Sequence, residues 1–370
     1  MTLLAGLKVV ELARILAGPW IGQALADLGA EVTKVEAPEG DDTRRWGPPF
    51  IERDSERSAA YFHAANRGKR SVVADFRTEA GRAKVMDLVA GADILIENFK
   101  LGGLAKYGLD YDSLREVNPR LVYCSITGFG QTGPYAKRAG YDFLIQGMSG
   151  LMSVTGEAGG QPQKVGVAVT DIVTGLYGAV GILAAVEQRH RTGRGQHIDL
   201  SLLDCATAMM ANQAMNFLAT GEAPGRRGNA HPNIVPYQVF PVSDGHVIVA
   251  VGNDGQFRRF CEVLGQASLA DHPSYASNAA RVANRTALTG FLEPLTGDLP
   301  SAELLGLLEA AGVPAGPIND MEAVFEDPQV VSRGLRIDPE GVPGVRGPWR
   351  FSEAELCLDS AAPRLGQDDR

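Results

Sequence analysis

Over its first 125 residues the chain alternates short apolar runs with stretches of helical periodicity, and that rhythm leaves few folds open. The strand-like runs are "LKVVEL" (7–12), "AEVTKVEAP" (30–38), "SVVADF" (71–76), "DILIEN" (93–98) and "LVYCSITGF" (121–129). Helices are expected between them over 19–29, near 78–91 and near 110–117. Strands joined through helices run parallel, are covered on both faces, and gather their ligand-binding loops at the carboxyl ends. The expectation is an α/β protein with a mostly parallel sheet.

Farther along, a Gly- and Pro-rich loop (128–140) precedes the helical stretch "YDFLIQGMSGLMSV", and a polar loop (156–164) delivers the chain to "VGVAVTDIVTGLYG" (165–178). There the β-branched run Val165–Val169 passes through Thr170 and Asp171 into a helical pattern that lasts to about His190. "HIDLSLLD" (197–204) reads as a strand, followed by a Met- and Ala-rich helix through 218. Its Met209, Met210 and Met215 fit helix packing better than a cofactor site. The large domain thus takes 1–220, with 221–236 as a linker. Residues 237–318 form a smaller α+β domain, and 319–370 return to the large one. The small domain opens with a hairpin turning at Ser243–Gly245 and carries helices near 254–264 and 301–311.

Composition narrows the function. A formal net charge of −9 over 370 residues disfavours nucleic acid as a partner. Four widely spaced cysteines without a C-x-x-C pair fit free thiols in a reducing cytosol, and six histidines without H-x-x-x-H argue against a metal. The apolar N-terminus is interrupted by Lys8, Glu11 and Arg14. No run reaches the roughly 18 apolar residues that span a bilayer. A cytoplasmic enzyme is expected, with no membrane partner and no permanently bound cofactor.

Two features bear on chemistry. Asp171, at the start of a helix, reads as an N-cap or as a nucleophile that the helix dipole keeps ionised. "NRGKRS" (66–71) is a solvated basic turn or a phosphate clamp; "ENF" (97–99) and Lys106 add polar groups on the presumed ligand edge. The first strand turn, "LARILAGPW", lacks G-x-G-x-x-G, and "SGLMS" is not G-x-S-x-G. Neither nicotinamide chemistry nor a serine hydrolase is indicated.

In order along the chain, "VVELARILAGPWIGQALADLGAEVTKVE", "ANRGKRSV", "ILIENF", "GLDYDSL", "NPRLVYCSITGFGQTGP", "GYDFLIQGMSGLM", "VAVTDIVTGLYG", "RTGRGQHIDLSLLD" and "GVPAGPIND" resemble the blocks of the class III CoA-transferase (CaiB/BaiF) family. The resemblance implies a Rossmann-like large domain with a small domain, in two chains threaded as an interlocked homodimer. It implies that Asp171 is the nucleophile and forms an aspartyl-CoA thioester, with coenzyme A thioesters as substrates. By the same resemblance Ile15, Ala17, Gly68, Lys69, Arg70, Ser71, Asn98, Phe99 and Lys106 contact CoA, while Trp46 and Asp142 line the reacting centre. Trp46 alone would equally suit packing. Family members continue past the "LGQ" at 365–367 into a terminal helix, whereas this sequence stops at Arg370, which bears on the last packing element and the dimer interface.

The family also contains α-methylacyl-CoA racemases, which resemble one another in a "GHD" where this chain has Gly140-Tyr141-Asp142. Losing that histidine removes a proton-transfer group suited to neutral pH, which favours transfer over racemisation. "RRGNAHPNIVPYQVF" (226–240) and "VAVGNDGQF" resemble the subgroup that moves CoA from succinyl-CoA to dicarboxylates. Arg14, Arg227 and His231 are the candidates to pair with the distal carboxylate, His231 being equally suited to a structural place beside Pro232. A non-catalytic CoA-binding protein of this fold remains the alternative.

Overall fold

The computed structural model describes residues 2–54 and 56–369. The chain divides into two compact units. The first holds residues through Leu151, Lys164–Glu222 and the chain from Pro328; the second holds Met152–Gln163 and Ala223–Asp327.

The first unit is built on six parallel strands: β1 (Lys8–Glu11), β2 (Glu31–Glu36), β5 (Arg70–Val73), β6 (Ile94–Glu97), β7 (Val122–Thr127) and β8 (His197–Ser201). A short antiparallel hairpin, β3 (Phe50–Arg53) with β4 (Glu56–Ala59), sits between β2 and β5 in sequence. Sheet order is β5-β2-β1-β6-β7-β8, so strand order reverses between β1 and β6. In doubly wound sheets that reversal opens the ligand crevice.

Successive residues of the central strands feed two cores. Val9, Ile94, Ile96, Val122, Cys124 and Ile126 face one side, against α1 (Ala17–Asp27), α7 (Val169–Thr192) and α8 (Leu202–Met209). Val10, Leu95 and Tyr123 face the other, with α3 (Glu79–Ala90) and α4 (Tyr111–Val117). Burial on both faces explains why these strands read as unbroken apolar runs. The outer edge, β5, is covered by the tail: Asp368 accepts the Ser71 N–H at 2.9 Å and Asp369 accepts that of Val73 at 3.0 Å.

Other helices of this part are α2 (Ala60–His63), α5 (Asp142–Met148) and α9 (Ala211–Thr220), and α6 (Leu151–Val154) leads into the second unit. The β-branched run before α7 is irregular backbone over Val165–Ala168, the Val165 N–H being taken by Gln146 Oε1 at 2.9 Å. Two expectations are corrected here. "HIDLSLLD" stops being strand at Ser201, whose hydroxyl accepts the Asp204 N–H and starts α8. The Met- and Ala-rich helix divides at Ala211, which has φ +40°.

The second unit has its own core around Phe240, Val247, Val249, Phe257, Phe260 and Leu292. Strands β9 (Tyr237–Val242) and β10 (Gly245–Ala250) form the expected hairpin, and β11 (Ala315–Pro317) adds to β10. Helices α10 (Asp254–Val263) and α13 (Ser301–Ala310) match the periodicity, while α11 (Asn278–Ala283) and α12 (Arg285–Gly297) did not stand out in it. The stretch 221–236 is not a free linker after Glu222. Val235 is buried in the second core, its N–H bonded to Asn278 and its carbonyl to buried Arg281. Residues 152–163 and 319–327 also fall in this unit, so the return begins at Pro328.

Glycines let α7 lie close on α1. A Cβ on Gly178 would come within 2.4 Å of Ile21 Cδ1 and 3.0 Å of Leu200 Cδ2. Among the described residues α7 is the helix that by length and composition alone could cross a membrane, yet this glycine face packs inside the first unit. Gly178→Ala is therefore expected to destabilise by about 1–3 kcal/mol through overpacking. Helix propensity alone would give the opposite sign, and urea unfolding distinguishes the two.

Candidate active site

The switch point is closed by side chains from both strand ends. After β1 the Arg14 N–H donates to Asn98 Oδ1 at 2.9 Å, and Asn98 Nδ2 returns a bond to the Arg14 carbonyl at 2.6 Å. Above this clasp opens a cleft of about 550 Å³. Arg14, Arg77, Lys100, Lys106, Lys137 and Arg138 line it, facing only the carboxylates of Asp75 and Asp171. On a protein of net charge −9 such a basic cleft selects an anionic ligand. Arg77 is engaged by Asp75 at 2.7 Å, Arg14 by Asp42 at 3.3 Å, and Arg138 lies 4.5 Å over the Tyr135 ring. Lys137 and Lys100 carry no such partner among the described residues.

Asp171 lies in the wall of this cleft, in the first turn of α7. It does not cap the helix. Ala168 stands at the N-cap and makes no side-chain capping bond, which leaves Asp171 as the third helical residue. The capping work falls to Asp142, at the start of α5. Its Oδ1 accepts both the Thr170 N–H at 2.9 Å and the Thr170 hydroxyl at 2.7 Å. Oδ2 takes Gln146 Nε2 at 2.7 Å, and Gln146 in turn holds Val165. A carboxylate from a different helix thus satisfies an orphan amide of α7.

No hydrogen bond or ion pair among the described residues reaches the Asp171 carboxyl itself. Burial, reinforced by the neighbouring Asp142 charge, pushes it from 3.8 up to about 7. The helix end works the other way, but is worth only about 0.3–1 kcal/mol, below the 1.36 kcal/mol of a single pKa unit. Burial outweighs the helix end, so α7 does not hold this carboxyl at an ordinary carboxylate pKa.

Tyr61 belongs here too. Its hydroxyl is pushed up by burial and then by Asp171 and Asp142, and its ring meets Trp46 edge-on at 5.4 Å. Trp46, 47 % exposed, packs on Tyr61 and does not line the cleft. Ile15, Ala17, Asn98, Phe99, Lys106 and Tyr141 join Arg14 and Asp171 in the wall.

Gly68, Lys69, Arg70 and Ser71 do not line it. Lys69 is buried, its Nζ bonded to Glu11 at 2.8 Å, Asn66 at 2.9 Å and the Pro19 carbonyl at 2.8 Å. Burial lowers its pKa to about 8. Arg67 is clamped on Asp27 at 2.6 Å, the Ser71 hydroxyl donates to Glu36, and Arg70 lies 3.5 Å from Asp368. Arg67 and Lys69 are spent inside the fold and Arg70 is exposed beside Asp368, so the phosphate-clamp reading is corrected for the two buried cations. The cleft is lined instead by Arg77, Lys100, Lys137 and Arg138, which no short motif marked.

Arg227 and His231 lie in the second unit. His231 Nδ1 accepts the Asn233 N–H at 3.1 Å and its ring tilts over Tyr237 at 5.1 Å, while Arg227 is exposed. Burial and then Arg285 lower the His231 pKa, and Arg285 Nη2 donates to the Pro232 carbonyl at 3.0 Å.

Comparison with known proteins agrees with this geometry. Residues 4–369 match the model of CoA-transferase family III. A succinate–glutarate CoA-transferase of Agrobacterium fabrum is 58% identical over 98% of this chain and 93% of that protein. The human succinyl-CoA:glutarate CoA-transferase is 42% identical over 98% of this chain and 84% of its own length. The crystal structure of a CaiB/BaiF family protein from Brucella suis superposes with a TM-score of 0.90 at 63% identity, covering 99% of this chain and 97% of that one.

The raised carboxyl makes a stability test. Folded Asp171 binds its proton more tightly than the unfolded side chain, so ionising it costs stability as pH rises from about 4 through about 7. Asp171→Asn is expected to raise Tm above pH 7 and to leave it unchanged near pH 4, read by calorimetry across that range.

Proposed function

The chain belongs to CoA-transferase family III, and we propose that it moves CoA from succinyl-CoA to a dicarboxylate, glutarate first, through a thioester on Asp171. The observation that carries the reading is an unpaired, partly buried carboxyl in the wall of a basic cleft, in a chain 58% identical to a succinate–glutarate CoA-transferase.

The ionised Asp171 attacks the succinyl-CoA carbonyl, forming a mixed anhydride as the C–S bond breaks and CoA leaves as thiolate. The thiolate then attacks the aspartyl carbonyl, releasing succinate and leaving aspartyl-CoA. The acceptor carboxylate attacks that thioester and again expels thiolate. Thiolate attack on the acceptor carbonyl of the second anhydride gives the new acyl-CoA and restores Asp171. Each exchange is split into easier ones.

The raised pKa suits the first step. An ordinary carboxylate is far less basic than the thiolate it must expel; even a cysteine thiol has a pKa of about 8.5. At about 7, Asp171 closes most of that gap. The basic cleft is the place for the CoA phosphates, held as charge-assisted pairs. Asp142 fixes the first turn of α7 and supplies the second negative charge.

Four further parts of the reading follow. The protein acts as a homodimer, supported by the exposed apolar faces of α7 (Leu176, Tyr177, Val180) and α9 (Met215, Phe217, Leu218). Arg14, Arg227 and His231 are the candidates for the distal carboxylate. No cofactor is held permanently. A cytoplasmic setting fits four free cysteines.

Four outcomes are expected. In an exchange assay with succinyl-CoA, glutarate and other dicarboxylates accept CoA at least about tenfold better than monocarboxylates of the same length, a gap of about 1.4 kcal/mol. Neutralising Arg14, Arg227 or His231 in turn erases that preference in at least one case; selectivity unchanged in all three removes them from the acceptor site. For the donor, kcat/KM falls as pH drops below about 7. Asp142→Asn moves that acid limb to lower pH, because the neighbouring charge that raises the Asp171 pKa is gone.

A further inference from the structure

The cleft wall contains a residue in a conformation it should avoid. Ile15 has φ +73°, in the left-handed region that glycine favours and a β-branched side chain resists. Glycine would adopt the turn freely but leave no side chain in the wall, where Ile15 stands beside Arg14, Leu16 and Ala17. Something must hold the backbone there.

Three buried groups grip this loop. The Ile15 N–H points at the Asp41 carboxylate, 3.3 Å from Oδ2 and 3.4 Å from Oδ1. Lys34 Nζ donates to the Ala13 carbonyl at 2.9 Å, and Lys69 Nζ to that of Pro19 at 2.8 Å. Asp41 is itself held by the Thr43 N–H at 3.0 Å, the Thr43 hydroxyl at 2.8 Å and Lys34 at 3.0 Å. Glu11 joins the two lysines, at 3.1 Å from Lys34 and 2.8 Å from Lys69. Fully buried ion pairs contribute little net stability. What this one supplies is two fixed hydrogen bonds to the backbone between β1 and α1, at Ala13 and Ile15, and a third to Pro19 in the first turn of α1.

We propose that Asp41 is a positioning residue for CoA transfer, holding Ile15 in its left-handed turn through the Ile15 N–H and so shaping the wall that receives the acyl-CoA. The proposal rests on the reading of this cleft as the acyl-CoA site, but concerns a residue outside it. Lys34 keeps Asp41 charged and aimed, and the Arg14–Asn98 clasp fixes the residue before.

The test is a double-mutant cycle on the full-length enzyme, with succinyl-CoA as donor and glutarate as acceptor. Asp41→Asn is expected to raise KM for succinyl-CoA about tenfold while kcat and the KM for glutarate move less than about twofold. In an Ile15→Gly background, where the turn needs no holding, the same substitution is expected to cost less than about threefold. Asp41→Glu keeps the charge on Lys34 but displaces the acceptor oxygen, so it should reproduce the KM defect if Asp41→Asn does not fold. An equal cost in both backgrounds, or an unchanged donor KM in a folded Asp41 variant, overturns the proposal. If no variant including wild type transfers CoA from succinyl-CoA, the reading of the cleft fails instead; binding of CoA itself, by calorimetry, then tests Asp41 by the same cycle.

Discussion

Asp142 forms no bond to substrate in the proposed reaction, yet the site depends on its carboxylate. It satisfies the Thr170 amide and hydroxyl at the open end of α7, and so fixes the turn that carries Asp171. With burial, its charge also lifts the Asp171 carboxyl to about 7. The same carboxylate therefore fixes the turn on which Asp171 stands and adds to the larger effect of burial on its pKa. A cap built from the side chain of Asp171 would have done the reverse, occupying the carboxylate and lowering its pKa.

The architecture supplies the rest. Reversal of strand order between β1 and β6 opens the crevice where the ends of these strands meet, and Asn98 ties them across it. Charge is divided in depth. Lys34 and Lys69 stay beneath the sheet end and hold backbone, while Lys100, Lys106 and Lys137 stand in the cleft wall for an anion. An acidic protein can therefore present a basic cleft, and the ligand sees only the outer set.

How much of this the sequence revealed depended on the range of each interaction. Runs such as "DILIEN" and "LVYCSITGF" gave the parallel sheet because both faces of β6 and β7 are buried, so the pattern is local. The block singles out Asp171, but the cap position expected for it belongs to Ala168. Val165–Val169 has strand composition, yet Val165–Ala168 is irregular and Val169 starts α7, and the side chains that hold Val165 and Thr170, Gln146 and Asp142, lie 19 and 28 positions away from them. Lys69 failed for the same reason at longer range: its partner Glu11 lies 58 residues upstream, and nothing in "NRGKRS" reveals a buried acid waiting for it. Lys137 and Arg138 went unnoticed because a cation in a Gly- and Pro-rich loop has no motif until the fold brings that loop to the strand ends.

The most direct test is the covalent intermediate. Incubated with succinyl-CoA and no acceptor, then treated with hydroxylamine, the enzyme should gain a hydroxamate on the peptide containing Asp171, located by tandem mass spectrometry and absent from Asp171→Asn. Modification at another carboxylate, or transfer of CoA with no modified peptide and full activity in Asp171→Asn, would contradict the account.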